Sequence, residues 1–268
     1  MNFKNLEDKC LYYRNLSDYR LVPNQYVIMM LDGRAFSKLI KNKYEKPFDN
    51  KFIHYMNETA KYLCKNIGGC KFAYVQSDEI TMVLSDFDTP TTDTFFGYRL
   101  CKLQSIAAAM AASKFNHMVT MDLLNTPCSQ SDMIQMVEDQ KLVEFDCKAW
   151  NVPNENDMFA WCLYRQNDCI KNSKQQAAQT YLSHKELLNL NTDEQIALLK
   201  EKKGIDWNID FSDGKKYGRF IYKEEVRQVN EELNLTYIRN IWTEHDAFVL
   251  NNEYNREKLL DIIRKYQC

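Results

Sequence analysis

Hydrophobic and polar positions recur along the first 150 residues with the spacings of strands and helices. Residues 25–31 form a short apolar run that ends at the turn sequence DGRAF. A helix capped by Asp49 or Asn50 is predicted next, then strands over 70–76 and 79–85, a long helix over 89–116 and a half-buried strand over 142–150. This β-α-β-β-α-β order predicts an α+β fold of the ferredoxin-like kind, an antiparallel sheet with two helices on one face.

The rest of the chain is predicted to be mainly helical. Residues 155–181 have the pattern of one helix, SHKE at 183–186 and TDEQ at 192–195 resemble capping boxes, and 255–266 is amphipathic. The strand-like runs 218–227 and 235–243 are candidates for a pair. We therefore expect a core over residues 1–150 and a mainly helical C-terminal part over 151–268, with a small strand pair, packed on that core.

Composition and charge limit where the protein acts and how it contacts its partners. The 268 residues are 45% hydrophobic with a net charge of −2, so a contact with nucleic acid must rely on a local basic face. Nine cysteines without a C-x-x-C pair, and four histidines without zinc-site spacing, indicate free thiols in a reducing compartment. No apolar run is long enough for a membrane span and the N-terminus lacks a signal-peptide core. We expect a soluble cytoplasmic protein, with a mitochondrial location left open.

Two acidic residues 46 positions apart are expected to meet at one end of the sheet. Asp32 follows the first strand, and Asp78 lies in the hairpin between the second and third. Strands 1 and 3 are neighbours in this topology, so both carboxylates and a carbonyl freed by the Gly33 turn suit Mg²⁺ with substrate phosphates. Each sequence alone is explained as well by a turn, since Asp-Gly and Ser-Asp are common turn dipeptides.

Five segments, in order, resemble the tRNA-histidine guanylyltransferase superfamily. They are LDGRAFSKL at 31–39, KP at 46–47, YVQSDEITMVL at 74–84, RLCKLQSIAAAMAASKF at 99–115 and RQNDCIKNS at 165–173. The resemblance runs from about residue 20 to about 225. It implies a core similar to the palm of polymerases and an enzyme that adds nucleotides to the 5′ end of tRNA, in the 3′–5′ direction.

The resemblance also implies roles for individual residues. Asp32, Asp78 and Glu79 would be catalytic, and Asp32, the Gly33 carbonyl and Asp78 would hold two Mg²⁺ ions, with ATP, GTP or other NTPs as substrates. The implied nucleotide-binding residues are Gly33, Arg34, Ala35, Phe36, Ser37, Lys46, Ser77, Arg99 and Lys102. A solvated surface is the alternative for Arg99 and Lys102, but they are nearly the only cations on an apolar helix, which favours a phosphate role.

One departure from the family pattern bears on substrate choice. After DC, the enzymes specific for histidine tRNA carry a histidine where this chain has Ile170. In lacking this histidine, the chain resembles the Thg1-like branch of the superfamily. That branch repairs 5′-truncated tRNAs, and the resemblance implies a homotetramer. The implied RNA-binding residues are Arg165, Asp168, Lys171 and Asn172. A self-satisfied Arg165–Asp168 surface pair is the alternative for that helical stripe.

Three other functions are considered beside templated repair. The nearest is addition of G at position −1 of histidine tRNA alone. A nucleotidyl cyclase on the same palm needs no RNA. A non-enzymatic RNA-binding module would expose aromatic side chains on its outer strands, and the two acids argue against it because they repel phosphate unless a metal intervenes.

Overall fold

The computed structural model describes residues 3–36, 38, 43–89, 91–230 and 235–265. These residues form a mixed α+β fold around an antiparallel sheet. Its strands are β1 (Tyr26–Gly33), β2 (Cys70–Gln76), β3 (Glu79–Leu84), β4 (Phe145–Val152), β5 (Arg219–Asn230) and β6 (Leu235–Asp246). The strand order is β4-β1-β3-β2-β5-β6, and every neighbouring pair is antiparallel.

Helices cover both faces of this sheet. The longer ones are α1 (Leu6–Asn15), α2 (Asn50–Asn66), α3 (Leu100–Leu124), α4 (Gln130–Glu138), α5 (Glu155–Tyr181), α7 (Thr192–Lys203) and α10 (Glu253–Arg264). The short ones are α6 (His184–Leu187), α8 (Trp207–Asp210) and α9 (Asp213–Tyr217). None of the helices in the described ranges is both long and apolar enough to cross a membrane.

Alternation along β1 assigns its side chains to two separate cores. Val27, Met29 and Leu31 pack with α2 and α3 on one face, and Tyr26 and Ile28 pack with α5 and α10 on the other. Asp32 follows the second series, so it belongs to the α5 face. Because the strand is buried on both faces, it has a continuous apolar sequence until the site begins.

The predicted order of elements between residues 26 and 152 is observed, with α4 as an addition. The helix predicted from residue 89 is wrong at its start, because α3 begins at Leu100. Before it, Phe96, Gly97 and Tyr98 all have positive φ, and the Tyr98 carbonyl accepts a 2.9 Å hydrogen bond from the Leu21 amide. This long-range contact holds the segment in a non-helical form.

The C-terminal strand pair extends the core sheet. β5 pairs with β2 through Ala73, Tyr74 and Val75, so the sheet is continuous across the expected boundary near residue 150. Helix α5 has the predicted bounds. The SHKE capping box is observed with Ser183 as its cap, whereas the next helix is capped one residue earlier than predicted, by Asn191.

Candidate active site

A row of polar side chains crosses the sheet at the end of β1. Asp32 lies opposite Glu79 of β3 and opposite Asp146 of β4, and Glu79 in turn lies opposite Gln76 of β2. Directly opposed residues of antiparallel strands point to the same face, so this row faces α5. Burial, together with the Asp146 carboxylate, raises the pKa of Asp32. A bound cation would relieve both effects.

Asp78 is held beside Asp32 by the turn between β2 and β3. Ser77 has φ of 43°, and the Asp78 carbonyl accepts a 3.1 Å hydrogen bond from the Gly33 amide, which ties this turn to the end of β1. Burial raises the pKa of Asp78; the Ser77 hydrogen bond opposes the increase, and the Asp32 carboxylate adds to it. The structure therefore brings the two predicted metal ligands together.

Gly33 is required by the close packing of the next turn. A Cβ on Gly33 would lie 2.3 Å from Cδ2 of Phe36, whose ring is 1% exposed and packs on Phe52, Phe115 and Phe145. The ring thereby fixes the backbone that follows Asp32.

Glu79 is buried and already has a partner. Arg165 of α5 donates from Nε to Oε1 at 2.7 Å and from Nη2 to Oε2 at 2.5 Å, a two-point contact. Arg165 also reaches Asp168 at 3.1 Å, and Asn172 donates to the same Asp168 oxygen at 3.2 Å. Glu79 thus acts as the counter-ion of Arg165, whereas Asp32, Asp78 and Asp146 form no ion pair with any residue in the described ranges.

A cavity of about 430 Å³ lies beside these residues. The predicted site residues on its wall are Asp32, Lys46, Ser77, Asp78, Glu79, Arg165 and Asn172. The remaining wall combines aromatic and amide side chains, a mixture typical of nucleotide-sized sites. It comprises Tyr44, Phe48, Phe52, Gln76, Gln175, Gln176 and Gln179 with further residues of 45–53, 169–173 and 215–219.

The turn after Gly33 faces away from this cavity. Arg34 is exposed and pairs with Glu144 at 2.6 Å, and with Ala35 and Phe36 it lines a different, smaller cavity. Since the Phe36 side chain is in the core, only its backbone is left for a nucleotide. Ser37 lies outside the described residues.

Arg99 and Lys102 are at the opposite end of the sheet from Asp32. The backbone of Arg99 forms an isolated antiparallel β-bridge with Arg20, and its side chain pairs with Asp18 at 3.4 Å. Both partners precede the start of β1 in the chain. Lys102 lies over the Phe96 ring at 5.3 Å. Neither residue lines the Asp32 cavity of its own chain, so the structure does not bring this predicted pair to the predicted site.

The predicted RNA-binding stripe on α5 divides into two parts. Arg165, Asp168 and Asn172 form the hydrogen-bonded chain that ends at Glu79, whereas Lys171 is exposed. The alternative, in which Arg165 pairs with Asp168, is correct for that one contact. The contact between Arg165 and Glu79 was not predicted. Ile170 is half-buried and packs on the small core formed by α5, α7 and α8.

Two polar residues of this region were missed by the sequence reasoning. Asp146 of β4 lies directly opposite Asp32. The alternation of apolar and charged residues along β4 places Asp146 on the α5 face, so this position could have been predicted from the sequence. Arg219 opens β5 and lines the same cavity as Asn172, although the two residues are 47 positions apart along the chain. No local pattern indicates that contact.

The donor set fits magnesium held jointly with substrate. No cluster of three or more metal-ligating side chains was found among the described residues. Mg²⁺ is commonly bound through one or two carboxylates, with waters and substrate phosphates completing the shell. Asp32 and Asp78 with a nearby backbone carbonyl satisfy that requirement, and a protein-only cage is not needed.

Comparison with known proteins gives the class of protein and then its family. The model of the family described as "Thg1: tRNAHis guanylyltransferase" matches residues 9–153, more than half of the chain. The protein is a nucleotidyltransferase. It belongs to the tRNAHis guanylyltransferase family.

Similar proteins include both viral and cellular relatives. An uncharacterised protein of Acanthamoeba polyphaga mimivirus is 28% identical over 93% of this chain and 86% of its own length. The tRNA(His) guanylyltransferase of Neurospora crassa is 29% identical over 57% of this chain and 48% of its own length. A bacterial tRNA(HIS) guanylyltransferase-like protein solved in complex with ATP superimposes with a TM-score of 0.78 at 28% identity, covering 98% of this chain and 99% of that one. Its complex with GTP gives 0.73.

Proposed function

We propose that this protein is a template-dependent 3′–5′ nucleotidyltransferase that activates the 5′ end of tRNA with ATP and adds nucleotides to it, repairing 5′-truncated tRNAs. The observation that carries the proposal is the meeting of Asp32, Asp78 and Lys46 in one cavity. Similarity to bacterial guanylyltransferase-like proteins in complex with ATP and GTP supports it. The β4-β1-β3-β2 unit with α2 and α3 is proposed to be its ferredoxin-like, palm-type core.

The proposed reaction has two phosphorus-centred steps. A 5′-phosphate oxygen of the RNA attacks the α-phosphorus of ATP and releases pyrophosphate, which leaves an adenylylated 5′ end. The 3′-hydroxyl of the incoming nucleotide then attacks the activated 5′ phosphorus, and AMP leaves. Because little covalent chemistry is asked of the protein, positioning and charge neutralisation account for the rate.

Asp32, Asp78 and the Gly33 carbonyl would hold the magnesium ions. Two such ions, when bound, neutralise the attacking and leaving oxygens of an in-line displacement. Lys46 and Ser77, which line the same cavity, would orient the phosphates. Arg165 holds Glu79 in a buried ion pair, which would keep this carboxylate beside Asp32 and limit its repulsion of phosphate.

The proposed selectivity comes from the template. Ile170 packs into the core beside α7 and provides no hydrogen-bonding group, and the neighbouring Lys171 can attract phosphate but does not distinguish bases. The family description, which names tRNAHis, favours the second candidate, addition of G to histidine tRNA alone. The two candidates differ in whether the added base follows the opposite strand.

We also propose a homotetramer in which tRNA contacts more than one subunit. A chain of net charge −2 would then combine basic surface from separate copies, among them Arg99 and Lys102, which lie far from the cavity of their own chain. Sedimentation at micromolar concentration tests this assembly, and a fully active monomer contradicts it.

A single assay tests the proposed activity. The protein is incubated with 5′-monophosphorylated tRNA lacking its first nucleotide, ATP, NTPs and Mg²⁺, and we expect a product longer by one nucleotide at the 5′ end. The Asp78→Ala variant and a substrate with a 5′-hydroxyl are the controls. Cyclic nucleotide formed without RNA would identify a cyclase, and RNA binding without any product would identify a binding module.

A further inference from the structure

Arg219 is a buried cation without a carboxylate partner on the wall of the Asp32 cavity. The residue is 6% exposed. Its Nε donates to Asn57 Oδ1 at 3.1 Å and its Nη1 to the Gly214 carbonyl at 3.3 Å, whereas Nη2 has no hydrogen-bond partner among the described residues. A buried guanidinium bound only to neutral oxygens keeps its full charge, which is unfavourable in a protein interior unless an anion joins it.

Carboxylates lie near Arg219, but none of those in the described part of the chain forms an ion pair with it. Asp246 lies opposite it on β6, yet neither Asp246 nor any other described carboxylate is within ion-pair distance, 4.0 Å, of the guanidinium. Burial lowers the pKa of the Arg219 guanidinium, and attraction to nearby groups, the Asp246 and Glu244 carboxylates among them, opposes that decrease only in part. Arginine remains protonated in proteins, so the site keeps a positive charge.

The position of Arg219 relative to the acids suits a chain of phosphates. Arg219 of β5 lies opposite Val75, near the end of β2, in the strand register. The turn that carries Asp78 begins two residues after Val75. Asp78 and Arg219 both line the same cavity. Metal-bound phosphate at the acids and a further phosphate at Arg219 can belong to one polyphosphate. Lys215, half-buried on the same wall, adds a second cation at this end.

We propose that Arg219 forms a phosphate-binding subsite at the inner end of the cavity, which takes the polyphosphate tail of a nucleoside triphosphate. The inference deepens the proposed function and rests on it for the identity of the phosphate compound. Equilibrium binding tests the subsite without turnover, so its failure is distinguishable from failure of the repair assay.

Two variants change this subsite in different ways. Arg219→Met removes the cation and keeps the apolar stem. Asn57→Asp leaves Arg219 in place and puts a carboxylate where Oδ1 already accepts its Nε hydrogen bond, which neutralises the guanidinium without emptying the space. The matched control is Lys216→Met. Lys216 is also buried, but its ammonium is paired with Asp213 and the Asn208 carbonyl, and it is not part of the cavity wall.

Isothermal titration of the full chain with inorganic tripolyphosphate, GTP, guanosine and 5′-monophosphorylated truncated tRNA, in Mg²⁺, decides the proposal. We expect both variants to bind tripolyphosphate and GTP at least tenfold more weakly than the unaltered protein. Their affinities for guanosine and for 5′-monophosphorylated truncated tRNA should change less than threefold. Lys216→Met should bind all four like the unaltered protein. If Arg219→Met fails to fold, Asn57→Asp decides alone. Unchanged tripolyphosphate affinity in a folded variant, or a loss confined to the tRNA, overturns the proposal.

Discussion

Arg165 of α5 and Glu79 of β3 form a two-point ion pair in the interior of the protein, with side chains 12% and 9% exposed. The pair joins the helix that follows β4 to the centre of the sheet. It also removes one negative charge from the vicinity of Asp32 and Asp78, which are the carboxylates proposed to bind metal. The ion pair thus fixes α5 to the strand that forms part of the wall of the proposed active site.

Arg165→Met should destabilise the fold by about 3–5 kcal/mol, because Glu79 would be left buried and unpaired. Adding Glu79→Gln to that variant should recover most of the loss. Urea unfolding of the two single variants and the double variant measures the coupling. Arg34→Met is the control, since Arg34 and Glu144 are an exposed pair worth about 0–1 kcal/mol. Equal losses for Arg165→Met and Arg34→Met would contradict the assignment of a buried pair.

Asp78→Asn should abolish nucleotide addition while keeping or raising stability in the absence of Mg²⁺. The pKa of Asp78 is raised above its ordinary 3.8 by burial. A carboxyl with a raised folded-state pKa stabilises the fold while protonated, and that stability is lost as pH rises through the folded-state value. The variant should therefore melt at or above the unaltered protein at pH 7, with the difference shrinking as pH falls from the raised folded-state pKa towards 3.8.

The same variant should also lose the response to metal. Mg²⁺ with a nucleotide should raise the melting temperature of the unaltered protein and leave that of Asp78→Asn nearly constant. Turnover should fall more than about a hundredfold, since a metal ligand contributes several kcal/mol to the transition state. Near-normal turnover of Asp78→Asn in Mg²⁺ would show that the two-carboxylate assignment is wrong.

Lys46→Ala should weaken nucleotide binding about ten- to a hundredfold. The residue lines the cavity and is exposed, so its ammonium is free to make a charge-assisted hydrogen bond worth roughly 1.5–3 kcal/mol. Titration with GTP measures the change. Lys65→Ala, on the exposed last turn of α2, is the control and should bind GTP normally. A drop in melting temperature that accounts for the loss would assign Lys46 to folding.

Gly33→Ala should destabilise the fold by about 1–3 kcal/mol, because its Cβ would overlap the buried Phe36 ring. Turnover should fall as well, since the same backbone carries Asp32. Phe36→Leu in the Gly33→Ala background should restore part of both. Gly68→Ala, whose Cβ would meet Phe95 at an ordinary 3.7 Å, is the control for a glycine change. Similar melting curves for the two alanine variants would argue against a packing role for Gly33.

The sequence predicts the central part of this fold because its local signals agree. The apolar run of β1, the Ser77-Asp78 turn and the Asp49 cap each act over a few residues, and together they define four strands and two helices. Convergence of Asp32 and Asp78 follows from that topology alone. Local patterns fail where distant contacts decide, as in the positive-φ segment before Leu100, which is held by the Leu21 amide.

The cations of the site are less predictable than its acids. Arg165 has the spacing of a surface stripe, yet the fold turns it inward to Glu79. Arg219 has no local signal, because it reaches the cavity only when β5 pairs with β2. Conversely, Arg99 and Lys102 have the spacing of a phosphate-binding pair but lie at the far end of the sheet. Their placement depends on which end of α3 faces the acids, and periodicity does not contain that information.

The central claim, templated repair of 5′-truncated tRNAs, is tested most directly by kcat/KM across four tRNAs. Each lacks its first nucleotide and carries a 5′-monophosphate, and the four differ in the opposing template base, with histidine tRNA among them. We predict values within about tenfold of one another, a spread under roughly 1.4 kcal/mol, with the added base complementary to the template. A hundredfold preference for histidine tRNA, or addition of G whatever the template, would contradict the account.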